Sequence, residues 1–242
     1  MNHAGNLHGK VFIVTGAASG IGAATVRLIE ARGGVAVATD LAGTDVKLDV
    51  TEPADWDVAI AATLAEHGRI DGLVSNAGIA SSGALVDLDL EDFRRSSRVH
   101  VEGAFIGIQK IVAQLRVQSS PALGSIVVVA SVMAAQAAPN VAAYAATKAG
   151  LSNMARAIGV ELGRKGDFIR VNVVAPGPVA TPMLRAVMPA GSVDSQASWT
   201  GVPLRRPSEA DEIAETIVYL LSEDSSFMTA SVTTVDGGWS LT

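Results

Sequence analysis

Residues Thr15–Gly22 read TGAASGIG, directly after the apolar run Val11–Thr15 (VFIVT) and at the opening of a helical pattern over Ile21–Arg32. Gly16 suits a sharp turn, Gly20 a close backbone approach to a pyrophosphate, and Gly22 tight packing of helix on strand. A helix that begins there offers unpaired N–H groups and the positive end of its dipole to phosphate. Ser19 and Ile21, on either side of Gly20, join the three glycines as expected dinucleotide contacts. A Gly-rich turn alone is a weak signal; its place between a strand and a helix gives it weight.

The same alternation continues outward. Strands are expected at Val35–Thr39, Val46–Asp49, Leu73–Ser75, Ser125–Ala130, Ile169–Val174 and Ser231–Val235. Helices are expected at Pro53–His67, Leu90–Val117, Ala142–Arg164 and Ser208–Leu221, the last with Ser208 as its N-cap. Near-continuous apolar strands alternating with helices indicate an α/β fold: a parallel, doubly wound sheet covered on both faces. No repeat or linker interrupts the 242 residues, so residues 1–242 are expected to form one domain. Two segments break the rhythm. Asp40–Asp45 (DLAGTD) is too short for a helical crossover and is expected to run as an extended strap. Residues 182–207 carry four prolines (Pro182, Pro189, Pro203 and Pro207), with weak periodicity, and are expected to form an irregular lid.

Composition removes several classes of function. There is no Cys, which excludes thiol catalysis and disulfides, and no metal site is expected from the four His. The net charge is −6 with no basic run, so nucleic acid is an unexpected partner. No apolar stretch is long enough to span a membrane, and Met1–Lys10 is polar; a cytoplasmic protein is the default expectation.

Residues at strand ends carry the candidate chemistry, because open α/β sheets bind ligands there. Asp40 ends the second strand about twenty residues after the glycines, where an acid accepts hydrogen bonds from ribose hydroxyls and repels a 2′-phosphate. The expected cofactor is therefore NAD; a solvated loop acid is the plain alternative. Asp49 and Val50 are candidates for the adenine, and Asn76, Ala77 and Gly78 for the next strand end, with Asn76 equally readable as a turn residue. Tyr144 and Lys148 share one helical face at i, i+4. A phenol is a poor base at neutral pH, but a neighbouring ammonium and a cationic nicotinamide favour phenolate. Tyr144 then serves as general acid or base, Lys148 holds the nicotinamide ribose, and Ser131 bonds the substrate oxygen. Alone, such a pair is usually a surface feature and such a Ser a turn residue; the upstream phosphate turn changes that.

TGAASGIG, NAG (Asn76–Gly78), Ser131, YAATK (Tyr144–Lys148), VAPGPVATP (Val174–Pro182) and DGGW (Asp236–Trp239) stand in an order that resembles the short-chain dehydrogenase/reductase family over nearly the whole chain. The resemblance implies a seven-stranded Rossmann-like sheet, a homotetramer, and Ser131, Tyr144 and Lys148 as catalytic. It also implies that Pro176, Gly177, Val179 and Thr181 line the nicotinamide, with Thr181 bonding its carboxamide. One departure is His100, within Val99-His100-Val101-Glu102-Gly103, where many relatives carry an Asn that holds a proton-relaying water. His100 as a catalytic relay and His100 as a buried structural residue are both open. A second departure is the short strap, where relatives usually have a helix.

The lid is apolar, and Met133, Gln136 and Met183 are the candidate substrate contacts. This favours a small-molecule substrate: an apolar or cyclic secondary alcohol, hydroxysteroid-like among the options. Packing of the lid on a partner subunit is the alternative for its apolar residues. Reduction of a 3-oxoacyl thioester is the second enzymatic reading, and an NAD-binding sensor with little catalysis is the reading from another class.

Overall fold

The computed structural model describes residues 5–118 and 124–242; His3 lies outside them. Seven strands form one parallel sheet: β1 (Val11–Thr15), β2 (Val35–Asp40), β3 (Val46–Lys47), β4 (Gly72–Ser75), β5 (Gly124–Val129), β6 (Ile169–Pro176) and β7 (Val232–Val235). Their order is β3-β2-β1-β4-β5-β6-β7. The chain winds outward from β1 to β3, then returns to the other side of β1 with β4. That reversal opens a crevice at the carboxyl ends of β1 and β4, where open α/β sheets place their ligands.

Alternate residues of β1 serve opposite layers. Val11 and Ile13 pack with Trp56 of α2 (Pro53–His67), Ile108 and Ile111 of α4 (Gly103–Val117) and Leu151 and Ala155 of α5 (Ala142–Lys165). Phe12 and Val14 pack with Ile29 of α1 (Gly20–Ala31) and Ile213 and Ile217 of α7 (Ala210–Leu221). The two-residue pleat thus feeds two cores from one strand, as a sheet covered on both faces requires.

Four expectations are corrected in detail. The helix expected over Leu90–Val117 is α3 (Leu90–Ser97), a π-helical turn at Arg98–Glu102, and α4. Its widening is a hydrogen bond from the Gly103 N–H to the Arg98 carbonyl five residues back, a backbone feature with no residue signature in the sequence. Ser208 is not the N-cap of α7. Its backbone is drawn into a bridge with Val179, and Glu209 caps instead, in a capping box with Glu212. The third strand stops at Lys47 rather than Asp49. The lid is not wholly irregular: it contains α6 (Pro182–Val187) and a short 3-10 turn at Gln196–Trp199. Val193, Trp199 and Val202 form a small core of their own with Leu184, Met188 and Trp239 packed against it. The expected strap holds: no helix separates β2 from β3.

Candidate active site

The turn after β1 is sewn to the turn after β4. The Thr15 hydroxyl accepts the N–H groups of Asn76 and Ala77, both at 3.0 Å. The Asn76 amide donates to the carbonyls of Thr15 (2.9 Å) and Gly16 (3.1 Å). Gly16 is left-handed at φ +67°, and a Cβ on Gly22 would sit 2.1 Å from the Gly16 carbonyl oxygen. Both positions therefore demand glycine, one for conformation and one for space. Ser19 gives α1 no side-chain cap, so the N–H groups of its first turn lack an intrahelical or capping acceptor. They open on a cleft of about 300 Å³ bordered by Gly16, Ser19, Gly20, Ile21, Asp40, Asp49, Val50, Asn76, Ala77, Gly78, Thr181 and Met183. The Asp40 carboxylate, on the cleft border, accepts from Ala18 N–H (3.0 Å) and Leu41 N–H (2.7 Å). Asp49 accepts from the N–H and hydroxyl of Thr51, fixing the entry to α2.

At the carboxyl end of β5, Ser131 accepts the Met133 N–H at 3.1 Å and opens a 3-10 turn. Tyr144 and Lys148 occupy successive turns of α5. The Lys148 ammonium is buried, donates to the Val129 carbonyl at 3.0 Å and lies 5.7 Å from the centre of the Tyr144 ring. Burial lowers its pKa from 10.5 to about 8. Burial raises the Tyr144 phenol above its ordinary value, opposed by a hydrogen bond with Ser131 that favours phenolate. His100 is buried beside them, edge-on to the Tyr144 ring at 5.6 Å and 87°. Its Nε2 lies 3.0 Å from the Ile79 N–H and its Nδ1 2.9 Å from the Thr147 hydroxyl.

A family model described as enoyl-(acyl carrier protein) reductase matches residues 16–240. A cis-4-hydroxycyclohexanecarboxylate dehydrogenase of Sinomonas cyclohexanicum is 37% identical over 95% of this chain and 96% of its own. An uncharacterized short-chain type dehydrogenase/reductase of Sinorhizobium fredii is 38% identical over 96% of this chain; the chain spans 44% of that longer protein. The crystal structure of 3-ketoacyl-(acyl-carrier-protein) reductase from Brucella melitensis, complexed with NADH, superposes with a TM-score of 0.88 at 29% identity, covering 96% of this chain and 99% of that one. The chain belongs to the short-chain dehydrogenase/reductase family. Such an enzyme is an oxidoreductase acting on a CH–OH group with a nicotinamide cofactor.

Within this short-chain dehydrogenase/reductase, not every expected site residue borders the cleft. Gly22 lies behind it, as packing between helix and strand. Gly177 packs against Asp236, where a Cβ would come within 2.7 Å, and Val179 is buried in the bridge to Ser208. Pro176 ends β6 and does not border the cleft. Thr181 is buried, its N–H bonded to the Val179 carbonyl at 2.7 Å and its methyl beside Gly20. Met183 borders the cleft; buried Met133 and half-buried Gln136 do not. Tyr144, Lys148 and Ser131 form the separate cluster beside it. Leu41, Leu48, Ile79, Val99 and Pro182 also border the cleft and were not expected. All five adjoin a residue already singled out (Asp40, Asp49, Gly78, His100 and Thr181), so adjacency to those residues was the available signal. Among the described residues no group of three or more His, Asp or Glu side chains is arranged for a metal, and no helix is long and apolar enough to cross a membrane.

Proposed function

We propose that this short-chain dehydrogenase/reductase interconverts a cyclic secondary alcohol and its ketone, with NAD as cofactor and Tyr144 as the general acid/base. The observation that carries the reading is the meeting of Ser131, Tyr144 and Lys148 at the end of β5, beside a cleft that starts at an uncapped helix.

The residues present fit a dinucleotide. The free N–H groups at the start of α1 suit the pyrophosphate, with Gly16, Ser19, Gly20 and Ile21 around it. Asp40 suits the adenosine ribose, Asp49 and Val50 the adenine, and Asn76, Ala77, Gly78 and Thr181 the nicotinamide side. When bound, the cofactor supplies the hydride acceptor and a cationic ring. In the direction of oxidation, the Tyr144 oxygen takes the alcohol proton while Ser131 bonds the same substrate oxygen. The Lys148 ammonium stabilises phenolate on Tyr144; with its pKa near 8 it is largely charged at neutral pH and still able to release a proton.

Similarity to the hydroxycyclohexanecarboxylate dehydrogenase supports a ring-bearing substrate, and Met183 and Pro182 give the cleft an apolar edge on that side. The Asp40 carboxylate supports NAD over NADP. A homotetramer is the assembly we propose, from the family resemblance and from exposed Phe93, Phe105 and Val160 on α3, α4 and α5. The likeness to the Brucella reductase favours, as a second reading, reduction of a 3-oxoacyl thioester.

The test is a panel of cyclic alcohols and 3-hydroxyacyl thioesters followed by NADH absorbance, with Tyr144→Phe run alongside. Turnover of cyclic alcohols with NAD, lost by at least about 100-fold in the variant, is the expected result. Preference for thioesters selects the second reading. No turnover across the panel while NAD still binds would make the chain a cofactor-binding sensor.

A further inference from the structure

We infer that His100 is a positioning residue that holds Tyr144 in place and does not carry the proton: a neutral imidazole, protonated on Nδ1, strung between Ile79 and Thr147. This rests on Tyr144 being the acid/base.

The hydrogen bonds settle the tautomer by elimination. Nε2 lies 3.0 Å from the Ile79 N–H. An amide N–H only donates, so Nε2 must present its lone pair. Nδ1 lies 2.9 Å from the Thr147 hydroxyl oxygen, and that hydroxyl is 2.9 Å from the Tyr144 carbonyl. A carbonyl only accepts, so the Thr147 proton is spent there and its oxygen is left to accept. The one proton of a neutral ring therefore belongs on Nδ1. Donation runs in a single direction: Ile79 N–H to His100, His100 to Thr147, Thr147 to the backbone of Tyr144.

A relay needs a ring nitrogen that can pick up a proton while the other lets one go. Here the nitrogen with the lone pair faces an amide N–H that cannot move. A proton arriving on Nε2 would confront that N–H directly. The doubly protonated ring is also disfavoured. Burial, and then the charge of Lys148, lower the imidazole pKa from 6.5 to about 3. The titratable groups facing the ring are Tyr144 and Lys148, both on α5; the Asn76–Ile79 turn after β4 contributes no charged side chain.

The position explains what the bracing achieves. His100 sits in the π-helical turn between α3 and α4. From there it spans the turn after β4, which borders the cleft, and the turn of α5 that carries Tyr144. A Cβ on Gly78 would lie 3.1 Å from His100 Nε2 and 3.7 Å from Lys148 Nζ, so the loop, the imidazole and the ammonium are packed as one unit. Asn at this position could supply a group at the Nδ1 place and Gln one at the Nε2 place; only the imidazole reaches both.

Two measurements test this. The first is the side-chain ¹H–¹⁵N correlation spectrum of the unmodified enzyme, with His100 assigned by its loss in His100→Gln. The expected result is the Nδ1–H tautomer with no titration between about pH 5.5 and 9. An Nε2–H tautomer, or titration in that range, overturns the inference. The second is kinetic. His100→Ala and Thr147→Val each lower kcat on the order of ten-fold, with KM for NAD within about two-fold, the pH–rate inflection unmoved, and the double variant no slower than either single one. An inflection that shifts or vanishes makes His100 a proton carrier, and additive losses make it mere packing. If instead Tyr144→Phe keeps its turnover while the spectrum is as expected, the assignment of Tyr144 fails and the bracing geometry stands.

Discussion

Asp40 has both carboxylate oxygens engaged, by Ala18 N–H at 3.0 Å and Leu41 N–H at 2.7 Å, which fixes its head at the cleft border. A carboxylate so held has lone pairs left for ribose hydroxyls. Lys47 is its register neighbour on β3 and is exposed. Asp40→Ala is therefore expected to lower kcat/KM with NAD and raise the relative use of NADP, a combined swing on the order of 100-fold, read from initial rates with both cofactors. A variant that keeps its NAD preference would remove Asp40 from cofactor choice. Asp40 and the Tyr144–Lys148 pair were legible because they are defined by spacing: one by distance from a glycine turn, the other by a single helical turn. The state of His100 was not legible. Its partners, Ile79 and Thr147, lie 21 and 47 residues away, and no local pattern links them.

At the scale of elements, helices and strands followed from periodicity, whereas their ends followed from contacts. The sequence Ser208-Glu-Ala-Asp-Glu212 offers two adjacent capping registers, and Ser is ordinarily the better cap. The register one residue on wins because the Ser208 N–H and carbonyl are committed to Pro178 and Ala180, holding that residue in the bridge beside Val179. Glu212 then bonds the Glu209 N–H at 2.8 Å and pairs with Arg206, which holds its carboxyl down at about 2. Glu212→Ala is expected to cost about 1 kcal/mol in chemical denaturation, and Ser208→Ala clearly less. The opposite ranking would restore Ser208 as the cap. The lid shows the same division. Its weak periodicity suggested no helix, yet Pro182 starts α6, and Trp199 anchors the segment by burying its ring and donating to the Val193 carbonyl at 2.9 Å.

For the whole molecule, the sheet order places every strand but the edges between two others, and apolar surface remains outside the two cores. Phe105 is 47% exposed on α4 and Val160 44% exposed on α5. Light scattering is expected to report four copies per particle, and Phe105→Glu to shift the distribution toward smaller species. A monomer in the unmodified protein would refute the assembly. The sequence by itself determined the doubly wound class, the glycine-rich strand-to-helix turn at Thr15–Gly22 and the spacing of Ser131, Tyr144 and Lys148, because each is written in local order: alternation of periods, glycines at fixed offsets, one helical turn. Only the tertiary structure decided which residues share the cleft, that α3 and α4 meet through a π-helical turn, and which groups the two ring nitrogens of His100 face. Those outcomes depend on groups remote in the chain being brought within about 3 Å, where a hydrogen-bond donor must find an acceptor, and a linear pattern does not encode that pairing.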